Sequence, residues 1–199
     1  MFDFTLILRW GTFGIWFLWL FHYWGGIQGM KQHFQDAVVE ANSRADQVLV
    51  LGLGLLTLMP VAMILLTTLG VMTVQPWAQT WQVMLVGTLL TLAGFLGGYY
   101  CRSYLGALWT PAVKVEADHH VVNTGPYGIV RHPNYTAMLT MFLGITIVFA
   151  ASWTWLVYAL LVVAYALKAY TEERLLTGSL SGYETYKQRV RYRIIPGLW

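Results

Sequence analysis

The chain is poor in charge and almost devoid of cysteine. Of its 199 residues, 11% are charged and one, Cys101, is a thiol. A lone cysteine excludes an intramolecular disulfide and a thiolate zinc cluster. Its place at the inner end of an apolar run assigns it to packing. The nine acidic and twelve basic side chains leave a net charge of +3, and the acids cluster where the bases do. That balance suits an anionic lipid surface and gives no support to nucleic-acid binding. Repeats, low-complexity tracts and a separate soluble domain are all missing from the pattern.

What is present is hydrophobic. Apolar residues make up 57% of the chain and the mean hydropathy is +0.55, values of an integral membrane protein. A hydrocarbon layer about 30 Å thick requires roughly 20 helical residues. Five runs approach that length: 5–24, 48–69, 82–101, 136–151 and 153–171. Only the first has a charge well inside its boundaries, Arg9, which is near enough to the end to snorkel. That run is too long and too rich in tryptophan (Trp10, Trp16, Trp19, Trp24) for a cleaved leader, and it lacks a small-residue cleavage site. The expectation is an all-α integral membrane protein of about five transmembrane helices, the fourth and fifth forming a tight hairpin at Ala150-Ala151-Ser152. It is read as a single membrane domain of two parts, 1–101 and 102–199.

Eleven of the twelve Lys and Arg residues lie in 25–47, in 102–135, or at the end of the last helix and in the tail. By the positive-inside rule those segments share the cytoplasmic side, with an external N-terminus and a cytoplasmic C-terminus. In 25–47, Met30, Phe34, Ala37, Val38 and Ala41 recur at helical spacing, which predicts an interfacial amphipathic helix or a connector. The 102–135 loop passes Pro111, and VKVEADHHVVNTGPYG predicts short extended segments ending in a Gly-Pro turn. The tail opens with Ser181-x-x-Glu184, a capping-box pattern. Tyr183, Tyr186, Val190 and Ile194 then follow along one side, predicting a helix stopped by Pro196.

Three polar clusters belong to that cytoplasmic side. They are His119 and His120; Tyr127, Arg131, His132 and Tyr135; and Glu172 with Glu173. A hairpin of the last two apolar helices sets the start of one beside the end of the other, which brings Arg131 and His132 to the two glutamates. Such residues can simply close a hairpin with an ion pair. Ionisable groups at membrane depth are nonetheless costly unless paired or used, and their convergence with a long loop points to a site. Pro133 needs no chemical role, because the N–H it lacks is unpaired in the first turn of any helix.

The run HHVVNTGPYGIVRHPNY, then EERLL, then Tyr-x-x-x-Val-x-x-x-x-Ile-Pro resembles the isoprenylcysteine carboxyl methyltransferase family and its phospholipid methyltransferase relatives. The resemblance covers roughly residues 115–196. It implies a helical membrane enzyme with a cytoplasmic S-adenosylmethionine pocket built from the 102–135 loop, the last hairpin and the C-terminal helix. Its substrate would be lipophilic or lipid-linked, entering from the bilayer past the helices of 1–101, and no metal would be needed. It further implies His119, Val121, Gly125, Tyr127, His132, Tyr135 and Glu173 as cofactor-binding residues, with Glu172 an alternative to Glu173. Arg131 and Glu172 would be catalytic, Arg131 orienting the acceptor. Ala137 stands where many members have glycine, which narrows the helix surface there. A carboxylate acceptor needs no base, whereas an amine would call on Glu172 or His120; a thiol is a third acceptor. Sterol-type reductases share an Arg-His-Pro-Asn-Tyr element, and a non-enzymatic membrane scaffold is a further alternative. The oligomeric state is not legible, although Gly94, Gly97 and Gly98 permit close helix approach.

Overall fold

The computed structural model describes residues 4–30, 37–40, 44–109, 114–116 and 120–199. Seven helices and a two-stranded sheet make up the described residues: α1 Phe4–Met30, β1 Ala37–Glu40, α2 Arg44–Thr57, α3 Met59–Thr68, α4 Trp81–Leu105, β2 Lys114–Glu116, α5 Pro133–Val148, α6 Ser152–Ser179 and α7 Tyr183–Arg189.

Three of these helices, α1 over Phe4–Tyr23, α4 and α6, are long and apolar enough to cross a membrane. At 1.5 Å per residue α4 extends about 37 Å and α6 about 42 Å. The other two expected spans are shorter apolar stretches, Leu51–Thr67 and Pro133–Val148. The run expected as one helix over 48–69 is divided between α2 and α3, and the cause is Pro60, which has no N–H to continue the ladder. Beside it Val61 N–H turns to Leu58 O at 3.0 Å instead of reaching Thr57 O. The carbonyl of Thr57 receives the indole N–H of the buried Trp16 at 3.0 Å. One broken helical bond thus becomes a link between α1 and α2.

The sixteen residues of α5 are the centre of the molecule. Met141, Phe142, Ile145 and Val148 are fully buried, so this helix is apolar all round, as a helix enclosed by others must be. It lies closest to α4, whose buried face reads Met84, Gly87, Thr91, Gly94, Gly98, Cys101, Arg102. The glycines are there for contact: a Cβ on Gly94 would strike the backbone of Met141 and Ala137, and one on Gly144 the backbone of Gly87 and Thr91. Small residues at such a crossing let two backbones pack without side chains between them. This close approach is within one chain. Thr12 Oγ1 and Thr88 Oγ1, 2.8 Å apart, join α1 to α4.

Two local expectations are corrected. Ala37–Glu40 is a strand, not part of an amphipathic helix, and pairs antiparallel with Lys114–Glu116. The consecutive β-branched Val38 and Val39 favour a strand once a partner exists, and that partner lies over seventy residues away in the 102–135 segment. Apart from this short pairing, the regular structure of the described residues is helical, as expected. The tail helix is one short element, Tyr183–Arg189. Its N-cap is Gly182 at φ +85° with no side-chain cap, so the Ser181-x-x-Glu184 box is not used. Glu184 instead accepts from Lys187 Nζ at 3.0 Å. Beyond Arg189 the backbone leaves the helix because its carbonyls are taken by α5's entry, as described next.

Candidate functional site

The start of α5 and the end of α6 meet the C-terminal strap, residues 190–199. The amides of Arg131 and His132 donate to Tyr192 O at 2.9 Å and Arg193 O at 2.8 Å, and Thr136 Oγ1 donates to Ile194 O. Nη1 of Arg131 donates to Val190 O at 2.7 Å and Arg191 O at 2.8 Å. Its Nε pairs with Glu173 Oε1 at 2.7 Å, and both side chains are under a tenth exposed. Carbonyls that a continued helix would use internally are therefore bound by an arginine, which stops the tail helix well before Pro196.

Glu173 is the hub. Besides Arg131, its Oε1 faces His132 Nε2 at 3.3 Å, and Oε2 accepts from Arg193 Nε at 2.9 Å. Arg193 in turn lies over Tyr170 and Trp199, 5.9 and 5.4 Å from the ring centres. Trp199 O closes the strap by accepting from Ile194 and Ile195 at 3.0 and 2.9 Å. A buried carboxylate shared by three basic side chains is satisfied on both oxygens, which is the condition for burying charge at tolerable cost.

Glu172 is placed differently. Its side chain is 29% exposed, and among the described residues only Oε2 is engaged, by the Tyr135 hydroxyl and, at 3.7 Å, by His132 Nδ1. The His132 and Tyr135 rings stack at 5.1 Å and 2°, and Tyr135 also touches Tyr165, ring centres 5.2 Å apart. Lys168 Nζ lies 5.6 Å from the centre of the Tyr135 ring.

Of the expected site residues, Arg131, His132, Tyr135, Glu172 and Glu173 come together in this cluster. Tyr127 is one layer away. Its buried hydroxyl donates to Cys101 O at 3.3 Å, and its carbonyl accepts from Tyr186 OH at 2.7 Å. Burial pushes the phenols of Tyr127 and Tyr186 up, so both remain donors at neutral pH. Val121 does not join the acids; it packs beside Tyr183, Tyr186 and Val190. Gly125 sits at φ +57°, a conformation that suits glycine, with the Tyr104 ring where a Cβ would be. His120 is exposed, and His119 lies outside the described residues.

Residues that sequence reasoning passed over surround the same place. Arg193 read as one charge of a basic tail. Arg102 read as the first positive residue after a span, yet it is 7% exposed and lies under Tyr23 and Trp109, 5.6 and 5.2 Å from their ring centres. Four helices contribute here: Tyr23 from α1, Arg102 from α4, Tyr135 from α5 and Tyr165 from α6. A helical arginine that precedes a tryptophan by seven residues carries little signal by itself. Among the described residues, no group of three or more His, Cys, Asp and Glu side chains is arranged to hold a metal ion.

A family model described as isoprenylcysteine carboxyl methyltransferase (ICMT) family fits residues 85–178, from the first turn of α4 to the end of α6. That interval contains α4, the Gly-Pro turn, α5 and both glutamates. No curated protein matches the chain.

Proposed function

We propose, from the match of residues 85–178 to the isoprenylcysteine carboxyl methyltransferase family model, that the chain uses S-adenosylmethionine to methylate a lipophilic carboxylic acid of the prenylated-cysteine kind. Family and apolar helices together describe a multi-pass membrane methyltransferase acting on a lipophilic acceptor. The donor, the acid and the residue roles are the proposal.

The observation that carries it is the division of labour between adjacent glutamates. Glu173 is consumed by Arg131, His132 and Arg193, whereas Glu172 keeps Oε1 outside the hydrogen bonds of the cluster. A cofactor with an α-ammonium, ribose hydroxyls, a carboxylate and an adenine needs a carboxylate acceptor, hydrogen-bond donors and aromatic faces. Glu172, His132, Tyr135 and Tyr127 supply that set, so the residues fit the group. Val121 and Gly125 would frame it from the loop. When bound, the cofactor supplies a methyl group activated on a sulfonium sulfur.

The remaining work belongs to the chain. Glu172 accepts from the cofactor's donors, while Tyr135, held flat against His132, presents a ring. The strap, pinned by Arg131 and Glu173, roofs the pocket and excludes water, and it fixes the distance on which an in-line displacement depends. An acceptor carboxylate is ionised at neutral pH and needs no base. In this reading the inner ends of α4 and α6 and the start of α5 face the cytoplasm, 102–199 is the cofactor core and 1–101 guides the acceptor in from the bilayer.

The test is a radiolabelled methyl-transfer assay on membranes containing the chain, with calorimetry of S-adenosylhomocysteine binding. We expect a lipid-soluble product that releases labelled methanol in alkali, as a carboxyl ester does, and Glu172→Gln to weaken cofactor-analogue binding by roughly tenfold or more. Absence of both binding and labelled product would overturn the enzyme. An alkali-stable product would move the acceptor to an amine or a thiol.

A further inference from the structure

Arg102 is a buried cation that the cluster around Glu173 does not use. It ends the buried face of α4 and is 7% exposed, and no carboxylate among the described residues pairs with it. Its electrostatic neighbours are Tyr23, Tyr165 and Cys101, none of them an anion at neutral pH. Among the described residues its side chain makes one long hydrogen bond, Nε to Gly98 O at 3.4 Å. Nη2 is buried with no hydrogen-bond partner among the described residues.

A second orphan lies beside the same glycine. Asn134 Oδ1 is buried without a partner, and a Cβ on Gly98 would stand 3.6 Å from it. Asn134 occupies the first turn of α5, between His132 and Tyr135. An unsatisfied guanidinium nitrogen, under two aromatic rings, and an unsatisfied amide oxygen thus belong to side chains that both reach Gly98. Burying such groups is costly unless something pairs with them. The place is connected to the proposed cofactor cluster: Tyr165 neighbours Arg102 and stacks near Tyr135, which bonds Glu172.

Resting on the methyltransferase reading, we propose that Arg102 is the specificity-determining residue that receives the carboxylate of the acceptor. Arg131 cannot serve without unpinning the strap, because its Nε and Nη1 already hold Glu173, Val190 and Arg191. The guanidinium edge of Arg102 matches a carboxylate. Tyr23 and Trp109 cover its face and keep water from competing, and they offer apolar surface to the lipophilic part of the acceptor. The arrangement also distinguishes substrate from product. An acid is held by charge; the ester made from it has none and is released.

The experiment is calorimetry on the full chain in lipid nanodiscs with S-adenosylhomocysteine present, titrating N-acetyl-S-farnesylcysteine and, separately, its methyl ester. The wild-type chain should bind the acid roughly tenfold to a hundredfold more tightly than the ester. Arg102→Gln should erase that preference and leave S-adenosylhomocysteine affinity unchanged. Arg102→Lys should keep part of the preference, because the charge remains while the fork is lost. Should the glutamine variant fail to fold, the lysine variant decides: a severalfold reduced preference supports the assignment and an unchanged one overturns it. The assignment is also overturned if wild type binds S-adenosylhomocysteine yet shows no preference for the acid, or if Arg102→Gln retains it. Failure of wild type to bind S-adenosylhomocysteine at all would instead strike the methyltransferase reading.

Discussion

Replacing Arg131 by alanine separates a structural arginine from a catalytic one. The side chain makes three charge-assisted hydrogen bonds: to Glu173 Oε1 at 2.7 Å, to Val190 O at 2.7 Å and to Arg191 O at 2.8 Å. Taken singly, each would contribute about 1.5–3 kcal/mol. The sum overstates the loss, because Glu173 keeps Arg193 at 2.9 Å and His132 at 3.3 Å and is not left an unpaired buried charge. About 3–6 kcal/mol, the worth of the two charge-assisted bonds to the strap carbonyls alone, is the expected effect on docking of the strap. The amides of Arg131 and His132 report it directly, since they donate to Tyr192 O and Arg193 O. Hydrogen exchange of a peptide spanning 129–135 should accelerate by roughly a hundredfold or more in Arg131→Ala, as 1.4 kcal/mol is a factor of ten. Arg193→Ala removes a partner whose side chain is 26% exposed and should accelerate it much less. Unchanged exchange in Arg131→Ala, together with a large loss of S-adenosylhomocysteine affinity, would refute the reasoning and return Arg131 to direct ligand contact.

Two further outcomes follow from packing and from burial. Gly94→Ala should destabilise the helical core by about 1–3 kcal/mol, because its Cβ meets backbone of α5 and not a movable side chain. Gly52→Ala, with nothing within 4 Å, should be neutral or stabilising by about 0.5–1 kcal/mol; equal thermal melting of the two variants would contradict the close crossing of α4 and α5. Burial raises the phenols of Tyr127, Tyr183 and Tyr186 above their unfolded values. Their contribution is therefore complete below about pH 10 and is lost as the pH rises further, where the unfolded chain gives up protons that the folded chain retains. Alkaline release of the strap, followed by proteolysis, should show a shallower pH slope in Tyr186→Phe by up to about 1.4 kcal/mol per pH unit; an identical slope would exclude Tyr186 as a contributor.

The pairing of the Arg-His-Pro segment with Glu-Glu followed from sequence because hydropathy fixes where apolar helices begin and end. A hairpin then sets those two ends side by side. Pro60 in the second run was equally visible, but its consequence needed Trp16 to be seen taking the freed carbonyl of Thr57. The strand at Ala37–Glu40 was hidden for a related reason. Helical spacing is a local property, whereas a strand exists only through its partner, Lys114–Glu116.

By itself the sequence determined a membrane protein of apolar helices, the end of the molecule where polar chemistry gathers, and the resemblance that residues 85–178 bear out. It did so because chain hydrophobicity and short motifs are carried by neighbouring residues. Only the tertiary structure decided what each charged side chain is for. Arg131, Arg193 and Arg102 are alike in composition, yet one pins a strap, one closes it, and one lies buried with an unsatisfied nitrogen under two aromatic rings. The same holds for Glu172 and Glu173, adjacent in the chain and opposite in burial and pairing. The free energy of a charge depends on what surrounds it in space, and that environment is assembled from α1, α4, α5, α6 and the tail together.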